Sequence, residues 1–533
     1  MKLNSFLQQH QLIFCHLIMP QSPLLSPPKA ILLYGLDEEN TFIIDETQEA
    51  DLDLLRLTLA APDRVFVFAD AKPALRHLLS WGLWTARPLC LATLNNLLEQ
   101  KPEYPYFSEN VSEAQSLKPR LIEEFHRLQE TLQRSPYQQI ARLECLVISA
   151  FAHMEHRGLY IDQKAWRTII DEEEEKKNLA QEEFFKAAQP HVKIDLFGRP
   201  DINLEQDEAL RQLFEKLTHQ PLERLHKNTL KSLDHPAAKA LLKYREAAKL
   251  VSTYGESFLS HLHPQTRRIH ATFEPLGTST GRVSCHGPNL QNLPTDARFH
   301  EAIRAPDEKV LVTADYATCE LRVLAALSGD KTFIEAFAQD ADLHSRVASE
   351  MFHQPVSKTE NPHLRQRAKA INFGLIYGMG HRALGRQVGV SEEEARVLLK
   401  QYFDAYPGIA SFLEESVAKA RQNGYAQTVL RRRLYFEAND SQISRVAKNM
   451  PIQGTSAEIA KLAMIRLNER LWHHYPNAFL VNMIHDEIVV ECPKEDGGTI
   501  AAIVVEEMER AQRTLLPNVK PKADVNLGKT WIH

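Results

Sequence analysis

The chain has 533 residues, 44% of them hydrophobic and 25% charged, and carries a formal net charge of −6. That length exceeds what one hydrophobic core organises and suggests about three or four structural units, while the composition excludes a collagen-like, wholly disordered or membrane-embedded chain. No apolar run attains the roughly 18 to 20 residues that a bilayer requires, and the acidic balance leaves a nucleic-acid partner open, because a local basic track decides that matter rather than the total.

From the amino terminus, MKLNSFLQQHQLIFCHLIMP holds a short apolar patch broken by Gln8, Gln9, His10, Gln11 and His16, with no small-residue cleavage site after it. Together with the proline cluster of PQSPLLSPPK, it reads as a leader over residues 1–29 of a cytoplasmic protein. From Ala30, the runs AILLYGL, TFIID and RVFVFAD read as short strands, and ALRHLLSWGLW and TLNNLLEQ have helical spacing. This predicts a small α/β domain ending near Pro136. LECLVISAFAHMEHRG is an amphipathic helix closed by Gly158, and DQKAWRTIIDEEEEKKNLAQEEFFKAAQ is a long charged helix. Its acidic run, Asp171 to Glu175, reads as a solvated helix face rather than a metal site. Near Arg268 the texture changes. TRRIHATF alternates as a strand does, and GTSTGRVSCHGPNLQNLP is too rich in glycine and amides for a helix. KVLVTADY is a buried strand ending in an acid, residues 321 to about 431 are mostly helical, and the last hundred residues alternate helix and strand. The fold class is therefore multidomain, α/β and α+β. The six cysteines are scattered without a CxxC pair, as expected of reduced thiols.

Three places carry chemistry. In KVLVTADYATCELRVLAALSGD, a strand delivers Asp315 to its end, and Glu320 and Arg322 follow as a helix begins. Asp315 alone could be a helix cap. A second strand, VNMIHDEIVV, is interrupted by His485, Asp486 and Glu487, and an ionised carboxylate in an apolar run must face solvent or hold a cation. Two acids at neighbouring strand ends suit magnesium, which takes one or two carboxylates plus phosphate oxygens, and in-line phosphoryl displacement. In NPHLRQRAKAINFGLIYGMG, Arg365, Lys369, Phe373 and Tyr377 recur every fourth residue, so a helix presents two cations and two aromatic rings along one face. These suit a triphosphate, a sugar and a base, or else form an ordinary surface helix. In RVAKNMPIQGTSAEIAKLAMI, Arg445, Asn449 and Gln453 repeat at the same spacing. Amides both donate and accept, which fits minor-groove acceptors, although a polar stripe on a helix is common.

DYATCELR, RQRAKAINFGLIYG and IHDE, in that order, resemble motifs A, B and C of the family A DNA polymerases, the bacterial DNA polymerase I type. TGRVSCHGPNLQNLP, the DLH at residues 342–344 and RVAKNMPIQG resemble further patterns of that family, and the resemblance runs from about residue 141 to the C-terminus. It implies a right-hand polymerase: palm over residues 141–160, 268–330 and 434–533, thumb over 161–267, and fingers over 331–433. A degenerate, RNase H-like 3′–5′ exonuclease-type domain over 30–140 precedes it. By resemblance, Asp315, Asp486 and the Tyr316 carbonyl hold two magnesium ions, for which manganese is an expected substitute, with Glu487 nearby. Arg365 and Lys369 hold the triphosphate, Lys369 protonating the leaving pyrophosphate. His344 contacts phosphate, Phe373 stacks on the sugar, and Tyr377 hydrogen-bonds Glu320, which crowds the 2′ position. Arg282, Arg445, Asn449 and Gln453 track the minor groove and His485 the primer backbone, while Asn289, Gln291 and Asn292 join the DNA-binding set.

The sequence also departs from the family. Ala317, Thr318 and Cys319 stand where Ser, Gln and Ile are common. VFADAKPALRHLL resembles one exonuclease metal stretch, but Ala74 replaces the acid, no FDTET-like strand occurs, and TFIIDET comes too late in the strand order. The resemblance thus implies a monomeric DNA polymerase without proofreading or an upstream flap-nuclease domain, acting on primer–template DNA and deoxynucleoside triphosphates and engaging no membrane. Two alternatives compete. Glu320 and Phe373 argue against a single-subunit RNA polymerase of the phage type, and the intact set Asp315, Asp486, Arg365 and Lys369 argues against a non-catalytic DNA-binding protein.

Overall fold

The computed structural model describes residues 2–19, 25–36, 40–99, 107–189, 191–194, 196–197, 200–376, 378–437, 440 and 442–532. The amino-terminal part runs α1 (Leu3–Gln9), β1 (Leu12–Ile18), β2 (Ala30–Tyr34), β3 (Thr41–Asp45), α2 (Glu49–Ala60), β4 (Val65–Phe68), α3 (Ala71–Leu78), β5 (Pro88–Cys90), α4 (Leu91–Glu99), β6 (Phe107–Ser108) and α5 (Val111–Arg134). Its sheet has the order β3-β2-β1-β4-β5, with β6 also pairing β1. The pairs β1–β2 and β2–β3 are antiparallel, and β1–β4 and β4–β5 are parallel.

Residues 3–18, expected within a leader, supply α1 and the central strand of this sheet. LIFCHLI is apolar on both faces, as a strand covered on both sides must be, and Ile13 through Met19 are buried. The one polar side chain of the strand, His16, has its Nε2 2.9 Å from the Ser108 hydroxyl. Gln8, Gln9 and Gln11, which make the patch look broken in sequence, lie exposed at the end of α1 and the turn after it.

α6 (Gln138–Arg157) ends at Gly158, whose φ of 68° is favoured by glycine. Its Ala141, Cys145, Ile148 and Ala152 belong to the same apolar core as β1, β2 and β4. Residues 1–158, 271–292 and 305–533 form one compact unit, and residues 159–270 and 293–304 form a second.

The second unit contains β7 (Leu159–Tyr160), α7 (Gln163–Ala188), α8 (Asp207–Thr218), α9 (Lys227–Ser232), α10 (Pro236–Tyr254), α11 (Glu256–Leu259) and β8 (Arg268–Ile269). After β9 (Thr272–Glu274) and β10 (Ser284–His286) of the first unit, α12 (Ala297–Ala302) returns to it. Residues 293–304, expected in the palm, thus pack with α7 instead. Phe299 meets Trp166 edge-on at 4.9 Å, the Asp162 N–H donates to the Ala302 carbonyl at 2.9 Å, and Arg298 pairs with Glu172 and Glu173 at 2.6 Å each. In the acidic run, Asp171, Glu172, Glu174 and Glu175 are exposed and only Glu173 is buried.

The rest of the first unit runs β11 (Lys309–Tyr316), α13 (Cys319–Ser328), α14 (Lys331–Ala338), α15 (Leu343–Phe352), α16 (Pro362–Ile376), α17 (His381–Val388), α18 (Glu392–Ala405), α19 (Pro407–Asn423), β12 (Tyr425–Gln427), β13 (Arg433–Tyr435), α20 (Ile443–His474), β14 (Phe479–Ile484), β15 (Glu487–Pro493), α21 (Gly497–Leu515) and β16 (Ala523–Gly528). An antiparallel sheet of order β14-β15-β11-β16 packs against α21, where the Tyr316 hydroxyl donates to the Met508 carbonyl at 2.8 Å. The amino-terminal domain is fastened to this part by ions. Lys72 Nζ lies 3.1 Å from both Glu155 Oε1 and Glu274 Oε1 and donates to the Phe273 carbonyl at 2.6 Å, and Arg76 lies 2.9 Å from Glu155 Oε2. Trp84 stacks on Trp472 with ring centroids 5.1 Å apart.

Candidate active site

Because strand side chains alternate between faces, Tyr316 points at α21 while Asp315 points the other way, at the strand end. Asp315 stands opposite Glu487 on β15 and opposite Asp524 on β16. His485 and Asp486 make the two-residue turn before Glu487, and His485 has a φ of 56°. The turn explains how ionisable groups sit in an apolar run: they occupy its solvent-reaching bend. Burial pushes the Cys319 thiol up and the charges of Asp486, Glu320 and Asp315 push it further, against a hydrogen bond with Ser456. Glu487 is buried and takes a 2.6 Å hydrogen bond from Trp531 Nε1, so a tryptophan two residues from the chain end orients it.

Glu320, in the first turn of α13, is 8% exposed and ion-paired with Arg282. Burial raises its pKa, Arg282 opposes the rise and Asp486 adds to it. Tyr377, the expected partner of Glu320, lies outside the described residues.

The second group gathers on α15 and α16. Asp342 caps α15 by accepting the His344 and Ser345 N–H groups, and it also accepts from Arg365 Nε at 2.8 Å. Asn372 Nδ2 lies 3.0 Å from His344 Nδ1, and the His344 ring is 5.9 Å from that of Phe373. With Asn372 donating to Nδ1, the imidazole carries its proton on Nε2. Burial pulls His344 down to about 4, Asp342 opposes this, and the charges of Arg365 and Lys369 add to it. A neutral donor imidazole beside two cations is a setting for an anion. Lys369 is exposed and Arg365 and Phe373 are half-buried. Asp342 stands in the DLH pattern of the sequence without a role assigned to it there, and Asn372, which orients His344, carries no sequence signal.

The third group lies on α20 and the amide-rich loop. Arg445 is exposed, Asn449 half-buried and Gln453 buried. A Cβ on Gly378, whose φ is 66°, would come within 3.1 Å of the Arg445 backbone, so glycine is what lets the chain after α16 lie against α20. Gln291 Nε2 donates to the Met483 carbonyl at 3.3 Å, tying the loop to β14, and Asn289 and Asn292 are exposed.

In the amino-terminal domain, β1 carries no acid and Asp45 sits on the edge strand β3, bonded to Thr47. Ala74 is buried on α3. Asp70, at the N-cap of α3, has a pKa raised to about 6 by burial, against the nearby Lys72. Among the described residues, no group of three or more His, Cys, Asp or Glu is gathered to hold a metal. Asp315 and Asp486 offer two hard oxygen donors beside one strand end, and two carboxylates with substrate phosphate are a set magnesium takes.

A family model for DNA polymerase family A matches residues 171–533, and the chain belongs to that family. It is 33% identical over 448 residues to a thermostable DNA polymerase I of Thermus filiformis, covering 80% of this chain and 52% of the relative. A DNA polymerase I of Bacillus caldotenax is 34% identical over 415 residues, 74% of this chain and 46% of that one. The chain thus spans about half the length of the curated relatives it matches. Among solved structures it resembles the POL domain of Pol1 from M. smegmatis, described in complex with DNA primer-template and dNTP. There the TM-score is 0.82 with 27% identity, over 99% of this chain and 98% of that one. The mixed fold is therefore that of a family A polymerase domain. Among the described residues no helix is long and apolar enough to cross a membrane.

Proposed function

We propose that this chain is a template-directed DNA polymerase that adds deoxynucleotides to a primer 3′-hydroxyl without proofreading, acting as a monomer in the cytoplasm. The observation that carries this reading is the register that sets Asp315 of β11 opposite the residue following Asp486, within a chain of DNA polymerase family A. Two magnesium ions held by Asp315, Asp486 and the Tyr316 carbonyl, with manganese as substitute, would activate the attacking oxygen and steady the leaving group. This chain's own residues do the rest. His344, through Nε2–H, Arg365 and Lys369 bind the triphosphate, and Phe373 and Tyr377 close over the sugar and base. The primer 3′-hydroxyl gives up its proton to solvent and its oxygen bonds to the α-phosphorus as the bond from that phosphorus to the α,β-bridging oxygen breaks, and Lys369 gives the departing pyrophosphate a proton. Glu320 crowds the 2′ position, while Glu487, held by Trp531, adds negative charge beside Asp486. Arg282, Arg445, Asn449, Gln453, His485, Asn289, Gln291 and Asn292 line the duplex.

On this reading residues 161–267 with 293–304 act as the thumb, residues 331–433 as the fingers, and the β11 sheet as the palm. The amino-terminal domain serves as a scaffold, since β1 lacks an acid and Ala74 stands on α3. The test of the first assignment is Asp486→Ala: primer extension should vanish while duplex binding persists, and retained synthesis refutes it. The test of the second is a mismatched primer terminus, which the purified protein with magnesium should leave intact.

A further inference from the structure

Beneath the loop of residues 275–282 lies a cluster that the reaction above does not use. Glu144 of α6, Arg432 before β13, and Glu458 and Lys461 of α20 are 0%, 6%, 1% and 0% exposed. Lys461 Nζ donates to Glu144 Oε1 at 2.6 Å and to the Pro275 carbonyl at 2.7 Å, and Arg432 pairs with the same Glu144 oxygen. Glu458 accepts from the Thr428 hydroxyl and, at 3.2 Å, from the Leu430 N–H. Burying an ion costs several kcal/mol, and apolar side chains of equal size often stabilise a fold as well. Four buried ionisable groups in one place therefore call for an explanation beyond stability.

What they touch supplies it. Gly281 has a φ of 83°, and a Cβ there would collide with Nε, Cζ and Cδ of Arg432, so Gly281 rests directly against that side chain. On the other side, a Cβ on Gly454 would lie 2.9 Å from the Thr280 carbonyl oxygen and strike Thr428. Thr278 Oγ1 donates to the Arg282 carbonyl at 2.9 Å. The loop is thus seated at Pro275, Thr280 and Gly281, and the next residue, Arg282, reaches Glu320.

We propose that Arg432 is a positioning residue for sugar selection: held by Glu144, which Lys461 holds in turn, its guanidinium sets the height of Gly281 and thereby the reach of Arg282 to Glu320. This rests on the reading of Glu320 as the group that crowds the 2′ position. A planar, rigid cation is required, because lysine carries the same charge without the flat face.

The experiment measures kcat and KM for a deoxynucleotide and the matching ribonucleotide on a primed template, together with primer–template Kd. Arg432→Lys should narrow the deoxy-to-ribo ratio of kcat/KM by about tenfold while leaving Kd within about twofold. Combined with Glu320→Gln it should narrow the ratio no further than Glu320→Gln alone, since both act on one contact. Gly454→Ala, whose Cβ would press on Thr428 and on the Thr280 carbonyl while every ionic side chain is retained, should narrow the ratio in the same direction and guards against a folding defect in Arg432→Lys. A wild-type ratio in either soluble variant, or losses that add to that of Glu320→Gln, overturns the proposal. Absence of DNA synthesis by the wild-type chain instead overturns the function on which it rests.

Discussion

At Glu320 a carboxylate is held between burial and the Asp486 charge on one side and the Arg282 guanidinium on the other. Removing it should open the site to a 2′-hydroxyl. Glu320→Ala is expected to improve ribonucleotide use relative to deoxynucleotide by about 1 to 3 kcal/mol, roughly tenfold to two-hundredfold, measured as the ratio of kcat/KM values. His344 offers a pH prediction. Its pKa falls from 6.5 to about 4, by burial first and then by Arg365 and Lys369 against Asp342. Between those values the folded ring binds fewer protons than the unfolded one, so its contribution to stability is present above pH 6.5 and is lost as pH falls towards 4. Urea unfolding at a series of pH values should show that slope diminished in His344→Asn, and the same variant should raise the deoxynucleotide KM.

At the scale of elements, α20 carries both the polar stripe and Glu458. Burial raises the Glu458 carboxyl to about 7, with Glu144 adding to this, against Thr428, Arg432 and the Leu430 N–H. The folded state then binds more protons than the unfolded one from pH 4.5 to 7, so this residue's contribution declines as pH rises through that window. Glu458→Gln should flatten the decline, read from unfolding midpoints at pH 5 and pH 8. In the second unit, Trp166 is fully buried, stacks on Phe258 at 4.5 Å and donates to the Tyr254 carbonyl at 2.8 Å. Trp166→Ala should cost about 3 to 5 kcal/mol, visible as an early calorimetric transition. The elements differ in how plainly the sequence announces them. β11 and the β14–β15 turn show in the sequence as apolar runs bearing Asp315 and Asp486, while the roles of those acids came only from the resemblance. LIFCHLI was obscured because glutamines of a solvent-facing helix end precede it, and local composition does not say that a strand is central. The return of α12 to α7 is likewise invisible, since Phe299 meets Trp166 across 133 positions of chain. Which amide orients His344 depends on a helix-to-helix contact that no spacing encodes.

For the molecule as a whole, the proposed function requires a net charge of −6 to coexist with a DNA partner. Cations such as Lys369 and Arg445 are exposed, and each phosphate they neutralise releases counterions. Primer–template affinity should therefore fall about a thousandfold or more between 50 and 200 mM salt if six or more phosphates are contacted, checked by the slope of log Kd against log salt concentration. The shared core of α6 bears on miniaturisation. An engineered short version starting at α6 would bare Ala141, Cys145, Ile148 and Ala152 as a greasy stripe and strip Glu155 of Lys72 and Arg76. Such a fragment should clump on purification, and repainting that stripe with polar residues should keep it dispersed: the amino-terminal sheet would be indispensable as a lining, whatever chemistry it does or does not perform.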